Sequence, residues 1–500
     1  MCGIIGISAS SPVVQDIYDG LVTLQHRGQD ASGIMTYDGR FYLKKGSGYV
    51  RDVFQARHVL SLKGNMGIGH VRYTTAGSYD AANEAQPFYV NAPFGLALIH
   101  NGNLTNYAEL KNQITKDNRR YLNTGSDSEA LLNVVADEIG KSKSKTLKPE
   151  QIFHALKNVY KRLKGSYSII CMVAGHGLLA FRDPYGIRPL IFGKRDGPFG
   201  KDYVFASESV ALDTLGFKII KDVAPGEAVF IDNEKNVHTK RIERPKWAPC
   251  IFEYVYLARP DSIIDSISVY KSRLRMGKFL AAQVKKEMKK GLKIDVVVPV
   301  PDTARSAAFE IAAQLKLPCR EGLIKNRYIG RTFIMPGQGI RNRSIKYKLN
   351  PIPLELAGKN VLLVDDSVVR GNTSRKIVEM VRDAGAKKVY MASCCPPLRH
   401  PCVYGVDMPT RQEFIAHNLE ISEIAKAIGV DALFYQKLED LVASVREGNP
   451  NVKGLCTACL SGKYPTPEIT EKVLQEVEKS HSKGKIDAEP VNGEDQLSLL

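Results

Sequence analysis

The chain opens Met1-Cys2-Gly3-Ile4-Ile5-Gly6-Ile7. Removal of Met1 leaves Cys2 with a free α-amine, whose ordinary pKa of about 7.7–8.0 makes it a built-in general base for the adjacent thiol. The apolar residues behind it are expected to form a buried strand that fixes the nucleophile. Cys2 alone leaves an incidental cysteine on a first strand as the alternative. A second constellation is Val361-Leu362-Leu363-Val364-Asp365-Asp366-Ser367-Val368-Val369-Arg370-Gly371-Asn372-Thr373-Ser374. Its apolar residues read as a buried strand with two acids at the carboxyl end, where open α/β sheets place their ligands. The loop of hydroxyls and Gly371 then opens a helix, whose N–H groups and dipole suit a phosphate. The acids suit ribose hydroxyls, directly or through Mg²⁺. A third is Cys456-Thr457-Ala458-Cys459. Zinc, a redox pair and an iron–sulfur cluster all use Cys-x-x-Cys.

Elements of two kinds must hold these groups. Residues 1–235 read as short strands and turns with a few helices. Val71–Tyr73, Gly95–His100 and Ser168–Val173 are predicted strands and Ser128–Glu138 a helix, an α+β domain with antiparallel sheets. Residues 236–262, with Pro245, Pro249, Pro260 and the single tryptophan Trp247, read as an irregular interdomain segment. From 263 to 467 strands alternate with helices: helix Tyr270–Lys290, strand Ile294–Val300, helix Ala304–Leu315, strand Asn360–Val364, helix Ser374–Ala384, strand Val389–Ser393. That rhythm predicts a parallel α/β sheet. Residues 468–500 are expected to give one helix, Glu468–Lys479, and a disordered tail.

The net charge is +17. Lys and Arg are spread along the chain, so an anionic small substrate or solubility accounts for the charge and no nucleic-acid partner is expected. No apolar run is long enough to span a bilayer and no secretory signal is visible, so no membrane association and a cytoplasmic location are expected. Nine cysteines, an odd number, argue for metal or catalytic roles over a disulfide framework.

Beside Cys2 stand Gln25-His26-Arg27-Gly28-Gln29-Asp30, Gly69-His70-Val71-Arg72-Tyr73, His100-Asn101-Gly102-Asn103 and Ser126-Asp127-Ser128-Glu129. Together they resemble the N-terminal-nucleophile (class II) glutamine amidotransferases, which implies the αββα glutaminase fold. The resemblance implies that Cys2 attacks the glutamine carboxamide and that the Asn101 side chain and Gly102 N–H form the oxyanion hole. It assigns Arg72 to the glutamine carboxylate and Asp127 to its amino group. Thr74 stands where the family pattern has proline.

The acid-rich loop resembles the PRPP (phosphoribosyl pyrophosphate) motif of type I phosphoribosyltransferases. Val300-Pro301-Asp302-Thr303-Ala304-Arg305 fits that family's pyrophosphate loop, and Lys325 to Ile334, with Arg331, fits its flexible loop. The resemblance assigns PRPP to Asp302, Thr303, Lys325, Arg331, Asp365, Asp366, Ser367, Val369, Arg370, Gly371, Asn372, Thr373 and Ser374. It assigns Mg²⁺ to Thr303, Asp365 and Asp366. Asn372 replaces the usual threonine.

Both sites on one chain, in this order, resemble the glutamine PRPP amidotransferases. The resemblance implies the first committed step of purine synthesis: glutamine, PRPP and water give phosphoribosylamine, glutamate and pyrophosphate. It implies closure of the flexible loop to form an ammonia channel, and a homotetramer inhibited by purine nucleotides. In cluster-bearing members a [4Fe–4S] cluster sits on cysteines in the contexts of Cys250, Cys402, Cys456 and Cys459, with Cys394 and Cys395 as rival ligands here. Two other readings need modules this chain has no room for: sugar-isomerase domains for another amidotransferase, or a helix-turn-helix for a PRPP-sensing regulator.

Overall fold

A computed structural model describes residues 1–73, 83–142, 144, 146–326, 348–408 and 410–486, with side chains described to residue 478. Its first part holds thirteen strands: β1 Gly3–Ser8, β2 Ala31–Tyr37, β3 Phe41–Ser47, β4 Met66–Arg72, β5 Phe88–Val90, β6 Leu96–Leu104, β7 Gly165–Val173, β8 Gly177–Arg182, β9 Ile191–Gly197, β10 Gly200–Ala206, β11 Lys218–Asp222, β12 Glu227–Asp232 and β13 Val237–Arg241. They form two sheets, ordered β11-β9-β10-β1-β4-β2-β3 and β13-β12-β8-β7-β6-β5.

Period-two side-chain alternation makes four layers. In β1, Ile5 and Ile7 turn outward to the helix Val14–Thr23, meeting Ile17 and Leu21. Ile4 turns inward with Met35 and Ile68 to meet Ala97, Ile99, Ile170 and Met172 of the second sheet. The far face of that sheet, with Leu96, Leu98, Ile169 and Cys171, packs on the helices Asp127–Gly140 and Pro149–Arg162. This is the expected αββα sandwich. Val237–Arg241, read from sequence as irregular, pairs with β12 as an edge strand of five residues. A five-residue edge strand with four exposed positions carries little apolar alternation to betray it.

The chain then crosses through a π-helical turn, Glu253–Leu257, and the short pair β14 Ile263–Ile264 and β15 Ile267–Ser268. A second unit follows, with β16 Val296–Pro299, β17 Leu323–Lys325, β18 Leu349–Pro351, β19 Asn360–Asp365, β20 Lys388–Ser393 and β21 Ala432–Tyr435. Strands β16-β19-β20-β21 make a parallel sheet, and β17 pairs with β18. One face buries Val296, Val361, Leu363 and Met391 against Ile377 and Val381 of the helix Asn372–Asp383. The other buries Val297, Leu362, Val364 and Ala392 against Leu280 and Ile311 of the helices Val269–Met288 and Arg305–Leu315. Both faces are covered, so the strands read as continuous apolar runs. Among the described residues no helix is long and apolar enough to cross a membrane.

Candidate active sites and cysteine pocket

Cys2 sits at the entrance to β1, whose Gly3 pairs with Val71 of β4. Its nitrogen donates to Asn101 Oδ1 at 3.3 Å, its carbonyl accepts from Arg27 Nε at 3.1 Å, and its Sγ lies 3.9 Å from the Tyr73 carbonyl oxygen. Met1 is buried, and burial pushes its terminal amine down to about 5.

Asn101 and Gly102 lie on β6, paired with Ser168 and Tyr167 of β7. With Oδ1 turned to Cys2, Asn101 Nδ2 is buried without a partner. A side chain at Gly102 would collide with the Ser166 carbonyl oxygen, so only glycine permits this pairing. Arg72 ends β4. One arm of its guanidinium pairs with Glu84, and Nη1 is buried without a partner. Asp127 begins the helix Asp127–Gly140. Its Oδ2 accepts from Leu104 N at 2.9 Å, and its Oδ1 accepts from Ser128 Oγ at 3.2 Å. The resemblance-assigned residues Cys2, Arg72, Asn101, Gly102 and Asp127 thus hang from β1, β4, β6 and one helix N-terminus. Two buried donors among them, Asn101 Nδ2 and Arg72 Nη1, find no partner among the described residues.

Beneath Cys2 lies a buried charge cluster whose pairings no motif announced. Arg27 pairs with Glu208 and with Glu253, and Arg188 lies 3.5 Å from Glu253. Arg27 ends the 3₁₀ turn Gln25–Arg27, Glu208 precedes the helix Ser209–Thr214, and Glu253 begins the π-helical turn.

At the second site Asp365 and Asp366 end β19. Asp365 Oδ1 accepts from Asp366 N at 2.9 Å, Asp366 Oδ1 accepts from Ser367 Oγ at 2.7 Å, and the Thr303 hydroxyl also bonds Asp366. Burial and the neighbouring Asp366 raise the Asp365 carboxyl well above the usual range. Burial raises Asp366 to about 6, against Ser367 and the buried Arg273. Two carboxylates and a hydroxyl make an oxygen-rich, charge-demanding corner suited to a hard divalent cation. Val369 and Arg370 follow, the Val369 carbonyl accepting from Ile415 N at 3.0 Å and Arg370 facing Glu413 at 3.4 Å. Gly371 caps the helix at φ +77°, and a side chain there would strike Ile415. Asn372 and Thr373 are exposed in the first turn and Ser374 is buried. Asp302 lies 3.3 Å from both Lys325 and Arg305. Arg331 and residues 327–334 of the flexible loop lie outside the described residues. Arg273, from the first helix of this unit, had no signal in sequence beyond being one arginine among many.

Cys250, Cys402, Cys456 and Cys459 line one pocket, with Arg188 and Tyr404 among its other walls. Cys250 and Cys456 face each other across an isolated parallel bridge. Burial raises the Cys250 thiol to about 11, and burial with the neighbouring sulfurs raises Cys456 and Cys459 further. Cys394 and Cys395 are buried at the end of β20 and do not line the pocket. Among the described residues no three His, Cys, Asp or Glu side chains are drawn into a metal-holding group. The cysteines are gathered, not clenched.

The glutaminase site touches the 403–405 segment, which adjoins the cysteine pocket. The Tyr404 carbonyl accepts from Arg188 Nε at 2.8 Å and Ser166 Oγ at 3.0 Å, and Asn103 Nδ2 donates to the Val403 carbonyl at 3.0 Å. Gly405 lies directly on the Gly102 carbonyl.

An αββα sandwich whose first strand follows Cys2, joined to a parallel sheet ending in an acid–acid–loop–helix cradle, defines a glutaminase fused to a phosphoribosyltransferase. Residues 70–214 match the glutamine amidotransferase domain family, and residues 265–410 the phosphoribosyl transferase domain family. The amidophosphoribosyltransferase of Pasteurella multocida is 52% identical over 480 residues, 95% of each chain. That of Saccharomyces cerevisiae is 50% identical over 452 residues, 88% of each chain. A solved structure, the glutamine PRPP amidotransferase of B. subtilis complexed with ADP and GMP, superposes with a TM-score of 0.83 at 38% identity, covering 95% of this chain and 100% of that one. The chain belongs to the amidophosphoribosyltransferase family, and its activity is amidophosphoribosyl transfer.

Proposed function

We propose that Cys2, freed of Met1, hydrolyses glutamine and that the ammonia passes inside the molecule to PRPP. The thiol proton moves to the Cys2 α-amine and the sulfur attacks the carboxamide carbon. Asn101 Nδ2 and the Gly102 N–H receive the oxyanion, each such donor stabilising the transition state by about 3–4 kcal/mol. The amine returns the proton to departing ammonia, and water releases glutamate from the thioester. Arg72 and Asp127 hold the carboxylate and ammonium of the substrate. What supports this reading most is the empty buried donor at Asn101, whose other amide atom faces Cys2.

At the second site the loop Ser367 to Ser374 and the helix N-terminus grip the 5-phosphate, and Asp365 and Asp366 the ribose. Asp302, Thr303, Lys325 and Arg331 lie with the pyrophosphate. Ammonia forms the C1–N bond as the C1–O bond to pyrophosphate breaks. Thr303, Asp365 and Asp366 would hold Mg²⁺, which neutralises the leaving pyrophosphate when bound. Closure of the loop Lys325 to Ile334 over PRPP excludes water and completes the channel.

Cys250, Cys402, Cys456 and Cys459 would hold a [4Fe–4S] cluster of structural role. Burial raises the Cys250, Cys456 and Cys459 thiols, which makes them poor redox or nucleophilic groups, whereas a bound cation keeps buried sulfurs ionised. We further assign the enzyme to purine biosynthesis in the cytoplasm, as a homotetramer subject to purine-nucleotide inhibition. The B. subtilis relative carries ADP and GMP. Domains run 1–235 and 263–467, with 236–262 between them and 468–500 as C-terminal helix and tail.

The test is Cys2→Ala. Glutamine-dependent synthesis should vanish while free ammonia still supports it; survival of glutamine use would remove Cys2 from the mechanism.

A further inference from the structure

We propose that Glu84 is a positioning residue for glutamine: it pins one arm of the Arg72 guanidinium so that the other meets the substrate carboxylate. The inference rests on the reading of Arg72 as the carboxylate anchor.

A guanidinium offers five N–H donors in a rigid fork. In Arg72 the Nη2 arm goes to Glu84, and Nη1 is buried with nothing to bond. The Arg72 and Glu84 side chains are 8% and 2% exposed, so the pair is held away from solvent. A buried donor that folding leaves empty beside a nucleophile is a donor kept for a ligand. Because Nη1 is empty while Glu84 holds Nη2, substrate and Glu84 can share the fork and need not compete for it.

Glu84 is itself braced. The next residue, Ala85, accepts from Lys45 Nζ at 2.6 Å through its carbonyl. Beyond it, Gln86 Nε2 donates to Ser128 Oγ at 2.9 Å, and Gln86 Oε1 accepts from His100 N at 2.7 Å. A side chain at Gly33 would strike the Gln86 carbonyl oxygen, so the segment lies flat on β2. Ser128 in turn bonds Asp127. Residues 84–86 therefore tie Arg72, which takes the carboxylate, to the helix start bearing Asp127, which takes the ammonium. A zwitterionic head needs its two counter-charges at fixed separation, and this strip sets that separation.

The experiment compares initial glutaminase rates of full-length wild type and Glu84→Gln on L-glutamine and on L-glutaminol, which keeps the amine and carboxamide but lacks the carboxylate. Ammonia-dependent synthesis monitors the fold. For glutamine, KM should rise at least about tenfold with kcat little changed, the loss expected of one charge-assisted contact. L-Glutaminol should show no such penalty. An unchanged KM, a lowered KM (Glu84 competing with substrate) or an equal penalty on both substrates overturns the proposal. If Glu84→Gln loses its ammonia-dependent activity, Glu84→Asp is read by the same criteria. Wild type that does not favour glutamine over L-glutaminol would instead overturn the reading of Arg72.

Discussion

Three contacts prepare the Cys2 thiol: a strand behind it, an amide in front of its nitrogen and an arginine beneath its carbonyl. Only the first two were legible in sequence, because Gly3 to Ile7 and Asn101-Gly102 carry local patterns. Arg27 was visible as part of a motif, but its partners Glu208 and Glu253 lie 181 and 226 residues away and repeat no spacing. Glu84, only 12 residues from Arg72, was invisible because it belongs to no motif. Gly102 gives a direct test at this scale. Gly102→Ala forces a side chain against the Ser166 carbonyl and displaces the N–H offered to the oxyanion. Glutaminase kcat should fall by about 10²–10³ while ammonia-dependent synthesis stays near wild type. A steady-state comparison of the two nitrogen sources checks it, and equal loss with both would mean that the fold, not the oxyanion hole, had been damaged.

Among elements, the parallel sheet was the most legible. Strands such as Val361 to Val364 are buried on both faces and read as unbroken apolar runs. The helix after them begins at Asn372 and not Ser374, because Gly371 in the left-handed region supplies the cap. Strand β13 was missed because an exposed edge strand has little to bury. Of the cysteine quartet, Cys456 and Cys459 were legible as a Cys-x-x-Cys, and Cys250 and Cys402 only through family contexts. The 249–252 segment crosses 455–457, where Ile251 N donates to the Cys456 carbonyl at 3.2 Å and Cys456 N to the Pro249 carbonyl at 2.9 Å, and the segment before Cys402 meets Cys459, whose carbonyl accepts from Arg399 N and His400 N at 3.1 Å. Anaerobically purified protein should be brown, with about four irons per chain. Cys402→Ser should lose the iron and also lower glutaminase activity, since Tyr404 and Gly405 press on Ser166 and Gly102. Metal analysis with paired activity assays decides it; iron-free protein with full activity, or iron retained through Cys395, would reject the assignment.

Across the whole molecule, buried ion pairs fasten the glutaminase to the transferase. Arg182 holds Asp265 at 2.6 Å, and Arg27 bridges Glu208 to Glu253. Removing one partner of such a pair costs about 3–5 kcal/mol, because the other charge stays buried. Burial alone would raise Glu208, but His26 and Arg27 outweigh it and hold the carboxyl well below its usual range. A depressed carboxyl stabilises the fold above its unfolded pKa of about 4.3, and the contribution is lost as pH falls through the folded value. Glu208→Gln should therefore melt well below wild type at pH 7, and the gap in Tm should narrow as pH drops below 4. A gap constant across that range would place the stabilisation elsewhere.

The contact of Gly405 with Gly102 and the shared Tyr404 carbonyl tie the glutaminase site to the transferase unit, and the account holds that PRPP binding there is felt at Cys2. The most direct test of that claim is glutamine hydrolysis by the intact enzyme with and without PRPP and Mg²⁺. The account predicts that PRPP raises the glutaminase rate and that phosphoribosylamine forms in step with glutamate. Equal hydrolysis in its presence and absence, with ammonia escaping to solvent, would contradict it.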